Sequence, residues 1–152
     1  MNTVQKTNHS PVKVWISAFR LRTLPLSLSS IIVGGALAIQ QGAFNPLVFG
    51  LCILTTLFLQ ILSNLANDYG DSIHGADGVH RKGPKRAVQS GIITKQQMFK
   101  AIVIFAVLAF VSGIGLLAIA LQERTYLWPY FLGAGILAIA AAILYTNGKR
   151  PY

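Results

Sequence analysis

The residues with the most chemistry are crowded between Asn64 and Arg86, in the stretch NLANDYGDSIHGADGVHRKGPKR. The 152-residue chain has only four acidic residues, and Asp68, Asp71 and Asp77 lie here. Arg81, Lys82, Lys85 and Arg86 follow at once. On a helix, Asn64, Asp68 and Asp71 are spaced i, i+4, i+7 and share one face, with Asn67 to one side. Two carboxylates and an amide oxygen suit a hard cation. Mg²⁺ takes one or two carboxylates, keeps waters and shares phosphate oxygens. Asp77 lies beyond Gly75, on a loop able to fold back over the same site. The bases sit on a Gly/Pro-rich loop, where Arg matches phosphate oxygens bidentately and Lys supplies a point charge. The pattern reads as a diphosphate held through Mg²⁺, with Lewis-acid assistance and stabilisation of the charge that develops as it leaves.

Plainer readings exist for each piece. A D-x-x-D pair at a helix end is ordinarily a solvated terminus, although the helix dipole disfavours negative charge at a C-terminus. RKGPKR alone is an ordinary basic loop beside a membrane. Their adjacency, in a chain nearly devoid of other acids, favours a site. A carboxylate at a membrane boundary is in any case expensive and by default functional. His74 and His80 read as loop residues rather than ligands. Cys52 lies in an apolar run, so there is no disulfide framework. Phe99, Phe105 and Phe110 are expected to face lipid or the core rather than substrate.

The elements that position these residues are membrane helices. The chain is 53% hydrophobic and 11% charged, with a mean hydropathy of +0.57, whereas about a quarter of a soluble domain is charged. Repeated long apolar runs predict an all-α, polytopic transmembrane bundle, with spans near 24–40, 46–66, 98–121 and 127–145. Residues 14–19, with Trp15, suit a segment at the interface before the first crossing. Ser27, Ser29, Ser30, Gly34 and Gly35 permit close packing of the first span. Asn45-Pro46 reads as a helix cap and first-turn proline. Helical signals then continue to Asp71, about 39 Å of helix against a hydrocarbon core of about 30 Å. The aspartates are therefore expected at a mouth, and Gly70 is expected to leave Asp71 on a frayed end. Residues 72–95 read as a polar loop, and Trp128 and Tyr130 as an interfacial belt.

The net charge of +9 fits either nucleic-acid binding or the positive-inside bias of a membrane protein. Its distribution decides. Twelve of the thirteen Lys and Arg residues fall on one side of the predicted spans, and only Arg124 lies opposite. The expectation is four crossings of the inner (plasma) membrane with both ends and the 72–95 loop cytoplasmic, in contact with anionic lipid and not nucleic acid. No internal repeat or soluble domain is visible, so residues 1–152 form one unit.

Four stretches resemble the UbiA superfamily of intramembrane aromatic prenyltransferases, in its menaquinone-pathway form. They are Asn64-x-x-Asn67-Asp68-x-x-Asp71; Arg22-Thr23-Leu24-Pro25; Asp77 with Arg81, Gly83-Pro84, Arg86 and Gln89-Ser90-Gly91; and Tyr145 through Tyr152 with Lys149. The third acid of the general motif often falls four residues after the second, which here is Gly75. The acid comes instead at Asp77, as in the menaquinone-type proteins. The resemblance implies transfer of a polyprenyl group from polyprenyl diphosphate to 1,4-dihydroxy-2-naphthoate, with loss of CO₂. It implies a Mg²⁺ cofactor on Asp68, Asp71 and Asp77. Arg22, Asn64, Asn67, Arg81, Arg86 and Lys149 are implied in diphosphate binding, and Tyr145 beside the reacting cation or acceptor. Members of the family are about twice as long and carry a second aspartate motif, so the chain is expected to be an N-terminal half, inactive alone.

Three other readings stay open at this point. One is a family member acting on 4-hydroxybenzoate; the Asp77 spacing and Gly83-Pro84 speak against it. Another is a CDP-alcohol phosphotransferase, which needs further acids at helical spacing. The third is a non-catalytic membrane fragment. The charge bias makes its own prediction. In a Cys52→Ser background, an impermeant thiol reagent added to intact cells should label Glu123→Cys and spare Gln89→Cys; labelling of Gln89→Cys would reverse the topology.

Overall fold

A computed structural model gives the architecture, and it describes residues 10–74, 87–88 and 91–147. Five α-helices follow one another: α1 (Pro11–Phe19), α2 (Leu24–Gln40), α3 (Pro46–His74), α4 (Lys95–Ala120) and α5 (Trp128–Asn147). No strand occurs among the described residues. Four stretches are long and apolar enough to cross a membrane, the first joining α1 to α2. The protein is a multi-pass membrane protein.

Local chemistry sets the helix ends. Pro11 opens α1, which stops where Arg20 turns left-handed at φ 50°. A single 3₁₀ turn, Leu21–Thr23, then leads into α2. The short segment foreseen ahead of the first span is thus a separate helix joined by an elbow. Gly42, at φ +67°, ends α2, and the Ala43 N–H donates to the Ala38 carbonyl at 2.9 Å. Asn45 caps α3 as expected, its Oδ1 accepting from the Leu47 and Val48 N–H groups at 2.9 and 3.2 Å. Thr94 and Gln97 form a reciprocal capping box at the start of α4, which satisfies donors that the first turn leaves orphaned.

Two boundaries differ from expectation. Helix α3 runs 29 residues, through Gly70 and Asp71 to His74, so Asp71 lies in regular helix rather than on a frayed end. Helix α4 begins at Lys95, three residues before the expected start, because the capping box completes a polar first turn. Residues 72–74 and 95 are therefore helical and not loop.

Helix α3 is the hub, in contact with α1, α2, α4 and α5. The main buried cluster lies away from mid-bundle, where Ala109 and Ser112 of α4 are also buried. It gathers Ala18 from α1, Leu62, Leu65 and Ala66 from α3, Met98 and Ile102 from α4, and Ala87 and Ile93 from the segment before α4. These residues surround the acidic end of α3. Phe105 belongs to this region, with Phe19 edge-on at 5.4 Å and Phe58 at 6.0 Å; Phe99 and Phe110 are exposed. Elsewhere the spans present apolar surface outward, as a lipid-embedded bundle does. At the opposite end Tyr126 and Tyr130 are exposed, while Trp128 is half-buried.

Of the five small residues expected to ease packing of α2, Gly35 is the one with a clear steric role. A Cβ there would come within 2.5 Å of the Phe49 ring, whereas at Gly34 it would meet nothing within 4 Å. Gly35→Ala should lower stability by about 1–3 kcal/mol through overpacking, read as the unfolding midpoint in detergent. Gly34→Ala is the control, and equal midpoints for the two variants would contradict the contact.

Candidate functional site

At 1.5 Å per residue, α3 is about 44 Å long, well beyond a hydrocarbon thickness of about 30 Å. Its last turns carry Asn64, Asn67, Asp68 and Asp71, so the helix brings these four residues together. What sequence reasoning missed is their burial. Asp68 is 3% exposed and Asn64 4%, while Asn67 and Asp71 are half-buried. A carboxylate leaves water at a large cost unless it is paired or meets a cation. Both aspartates have partners within the chain. The acidic end is thus enclosed by protein and not a solvated terminus.

Asn64 is held by the elbow. Its Nδ2 donates to the Phe19 carbonyl at 2.9 Å and to Thr23 Oγ1 at 3.3 Å. One turn earlier, Gln60 Nε2 donates to the same hydroxyl at 3.4 Å. The donor side of the Asn64 amide is committed to the α1–α2 junction, so only Oδ1 can serve a cation. Thr23 and Gln60 were not singled out from sequence. The available signal was the polar spacing Gln60, Asn64, Asp68 at i, i+4, i+8 on an otherwise apolar span, where polar side chains act between helices.

The remaining expected residues are distributed as follows. Arg22 lies in the 3₁₀ turn beside Thr23 and is exposed. Tyr145 is near the end of α5 and 56% exposed. It lines a groove of about 390 Å³ between α3 and α5, with Thr56, Gln60, Ser63, Ala141 and Ala142 among the other walls. Helical spacing puts Ser63 one turn before Asn67, so this groove runs along α3 toward the acidic turns. Asp77, Arg81, Arg86 and Lys149 lie outside the described residues, as does His80. The chain returns at Ala87, itself buried in the cluster around α3.

Among the described residues no group of three His, Cys, Asp or Glu side chains comes together. The donors present are two carboxylates and two amides on one helix. Oxygen donors of that kind fit a hard cation such as Mg²⁺ that completes its shell with water and phosphate; a closed zinc site requires four protein ligands, usually Cys and His.

The fold defines a polytopic α-helical membrane protein, and its acidic, enclosed helix end gathers oxygen-bearing side chains at one end of the bundle. Residues 27–151 match the UbiA prenyltransferase family, and the chain belongs to it. It is 49% identical over 143 residues to a 1,4-dihydroxy-2-naphthoate octaprenyltransferase of Escherichia coli (strain K12), covering 94% of this chain and 46% of that protein. It is 45% identical over 151 residues to a protein of the same name from Haemophilus influenzae, covering 97% of this chain and 48% of that protein. A third such protein, from Mycobacterium tuberculosis, is 33% identical over 140 residues. The chain spans about half the length of the curated relatives it matches. No solved structure matches it.

If Asn64 ties the elbow to α3, Asn64→Leu should loosen both. The expected loss is about 1–3 kcal/mol of stability, from the carbonyl and hydroxyl left without their donor. Hydrogen exchange at residues 17–24 should rise with it. Unchanged exchange there would show that the elbow is held by other means.

Proposed function

We propose that this chain supplies the first metal and diphosphate half-site of a prenyltransferase that joins a polyprenyl chain to 1,4-dihydroxy-2-naphthoate. The observation that carries the reading is the enclosure of Asp68 at the end of an overlong membrane helix, in a chain of the UbiA family. The names of the relatives support the acceptor, and the charge bias supports a cytoplasmic position for this end.

In this reading Asp68 and Asp71 would hold the cation, and Asp77 would join them. A bound divalent cation supplies Lewis-acid assistance to departure of the diphosphate. The chain's own groups do the rest. Asn64 Oδ1 and Asn67 offer neutral oxygens beside the carboxylates. Arg22, Arg81, Arg86 and Lys149 carry the charge that neutralises the diphosphate as the allylic carbon–oxygen bond breaks. The apolar faces of α3 and α5 take the polyprenyl tail and keep water away from the allylic cation, which would otherwise be quenched. Tyr145, on the wall of the α3–α5 groove, faces the reacting carbon or the acceptor ring. The ring carbon that bears the carboxylate attacks the allylic cation. The carbon–carboxylate bond then breaks with loss of CO₂ and its electrons restore aromaticity, so the product is the hydroquinone, a demethylmenaquinol.

The test is made in the full-length enzyme. Asp68→Ala should abolish prenyl transfer while leaving the protein in the membrane at wild-type amounts; near-normal turnover would remove Asp68 from the site. Arg81→Ala should raise the KM for polyprenyl diphosphate more than that for the aromatic acid, and the reverse order would reassign the residue to the acceptor.

A further inference from the structure

We propose that Thr23 is a positioning residue for the diphosphate. By clamping the α1–α2 elbow onto α3, it holds Arg22 next to the turn that carries Asp68. The inference rests on the function proposed above and adds a residue to it.

The elbow is not self-supporting. Arg20 sits at φ 50°, ψ 52°, a left-handed conformation that a non-glycine residue adopts only when its surroundings impose it. Thr23 imposes it from two directions. Its N–H donates to the Arg20 carbonyl at 2.9 Å, and so does its hydroxyl, also at 2.9 Å. The same Oγ1 accepts from Asn64 Nδ2 at 3.3 Å and Gln60 Nε2 at 3.4 Å. A hydroxyl has one hydrogen to give and two lone pairs to offer. All three are used here, one toward the elbow and two toward α3.

This small network spans 45 residues of sequence, from Phe19 to Asn64, and it fixes register as well as proximity. Asn64 precedes Asp68 by one helical turn, about 6 Å along the axis. Arg22 is therefore anchored through its neighbour to the turn below the buried carboxylate. A long, exposed Arg on a loose elbow would have to be ordered each time an anion binds. A clamped elbow meets that cost in advance, which is how preorganised sites gain affinity. Valine has the shape of threonine and none of these bonds, and serine keeps all of them.

The experiment uses the full-length enzyme in membranes, with Thr23→Val, Thr23→Ser and Arg22→Ala. Thr23→Val should raise the KM for polyprenyl diphosphate by about five- to tenfold, the loss expected of a half-buried hydroxyl that makes several hydrogen bonds. The KM for the aromatic acid should stay unchanged, and Thr23→Ser should restore the wild-type value. In an Arg22→Ala background, Thr23→Val should add little further loss, because its effect passes through Arg22. Independent, multiplicative effects would overturn the proposal, as would an equal rise in both KM values. Calorimetric binding of inorganic diphosphate with Mg²⁺ reads the same effect without turnover, and its Kd should weaken by the same factor. A wild-type enzyme that binds diphosphate but prenylates no naphthoate would overturn the acceptor assignment and leave the Thr23 comparison standing. Unchanged diphosphate binding in Thr23→Val would overturn the Thr23 assignment alone.

Discussion

One constraint governs this structure: a carboxylate, Asp68, is buried in protein at the end of a helix that must also cross a membrane. Taking that charge out of water is unfavourable, and an isolated helix end projecting from a bilayer would simply solvate it. The chain prevents this by concentrating its closest packing there. Ala18, Leu62, Leu65, Ala66, Ala87, Ile93, Met98 and Ile102 all lie in one buried cluster beneath the acidic turns. The apolar middle of the bundle faces outward, and lipid is as good a solvent for its side chains as another helix would be. Packing is spent where lipid cannot substitute for it, around the polar end.

That arrangement assigns a task to each helix. Helix α3 carries the acids and touches every other helix. Helices α4 and α5 flank it, with a hydroxyl contact from Thr55 to Ser112 at 3.0 Å within the apolar region. Helix α2 sits close through Gly35 and Phe49. Helix α1 does not cross separately; it lies ahead of α2 and closes the acidic end with Ala18 and Phe19. The sharp reversal at Arg20 allows this, and side chains of α3 stabilise the reversal. The acidic helix and the basic elbow are thus one structural unit.

Much of this was legible in the sequence, for identifiable reasons. Hydropathy marks membrane spans strongly because backbone groups in lipid leave few alternatives to helix, so the four crossings and the separate 14–19 segment were readable. The Asn45-Pro46 start was readable because capping is local chemistry. The i, i+4, i+7 spacing placed Asn64, Asp68 and Asp71 on one face. Gly70 misled, since a residue poor in helix propensity is easily overridden when its turn is packed on several sides; it is buried within α3. The burial of Asp68 was not legible because it comes from packing of segments distant in sequence, and the Thr23 network was not because it depends on the elbow at Arg20. No local rule places a left-handed turn at an arginine, and without it Phe19 and Thr23 do not reach Asn64.

The central claim is that the enclosed acidic turns of α3 bind a diphosphate through a divalent cation. It is tested most directly by calorimetric titration of the full-length protein with a non-reactive polyprenyl diphosphate analogue, with Mg²⁺ and then with a chelator. The account predicts tight binding with Mg²⁺ that is lost on chelation, and lost equally in Asp68→Asn, which keeps the shape of the side chain and removes its charge. Equal affinity in the presence and absence of the metal would contradict it.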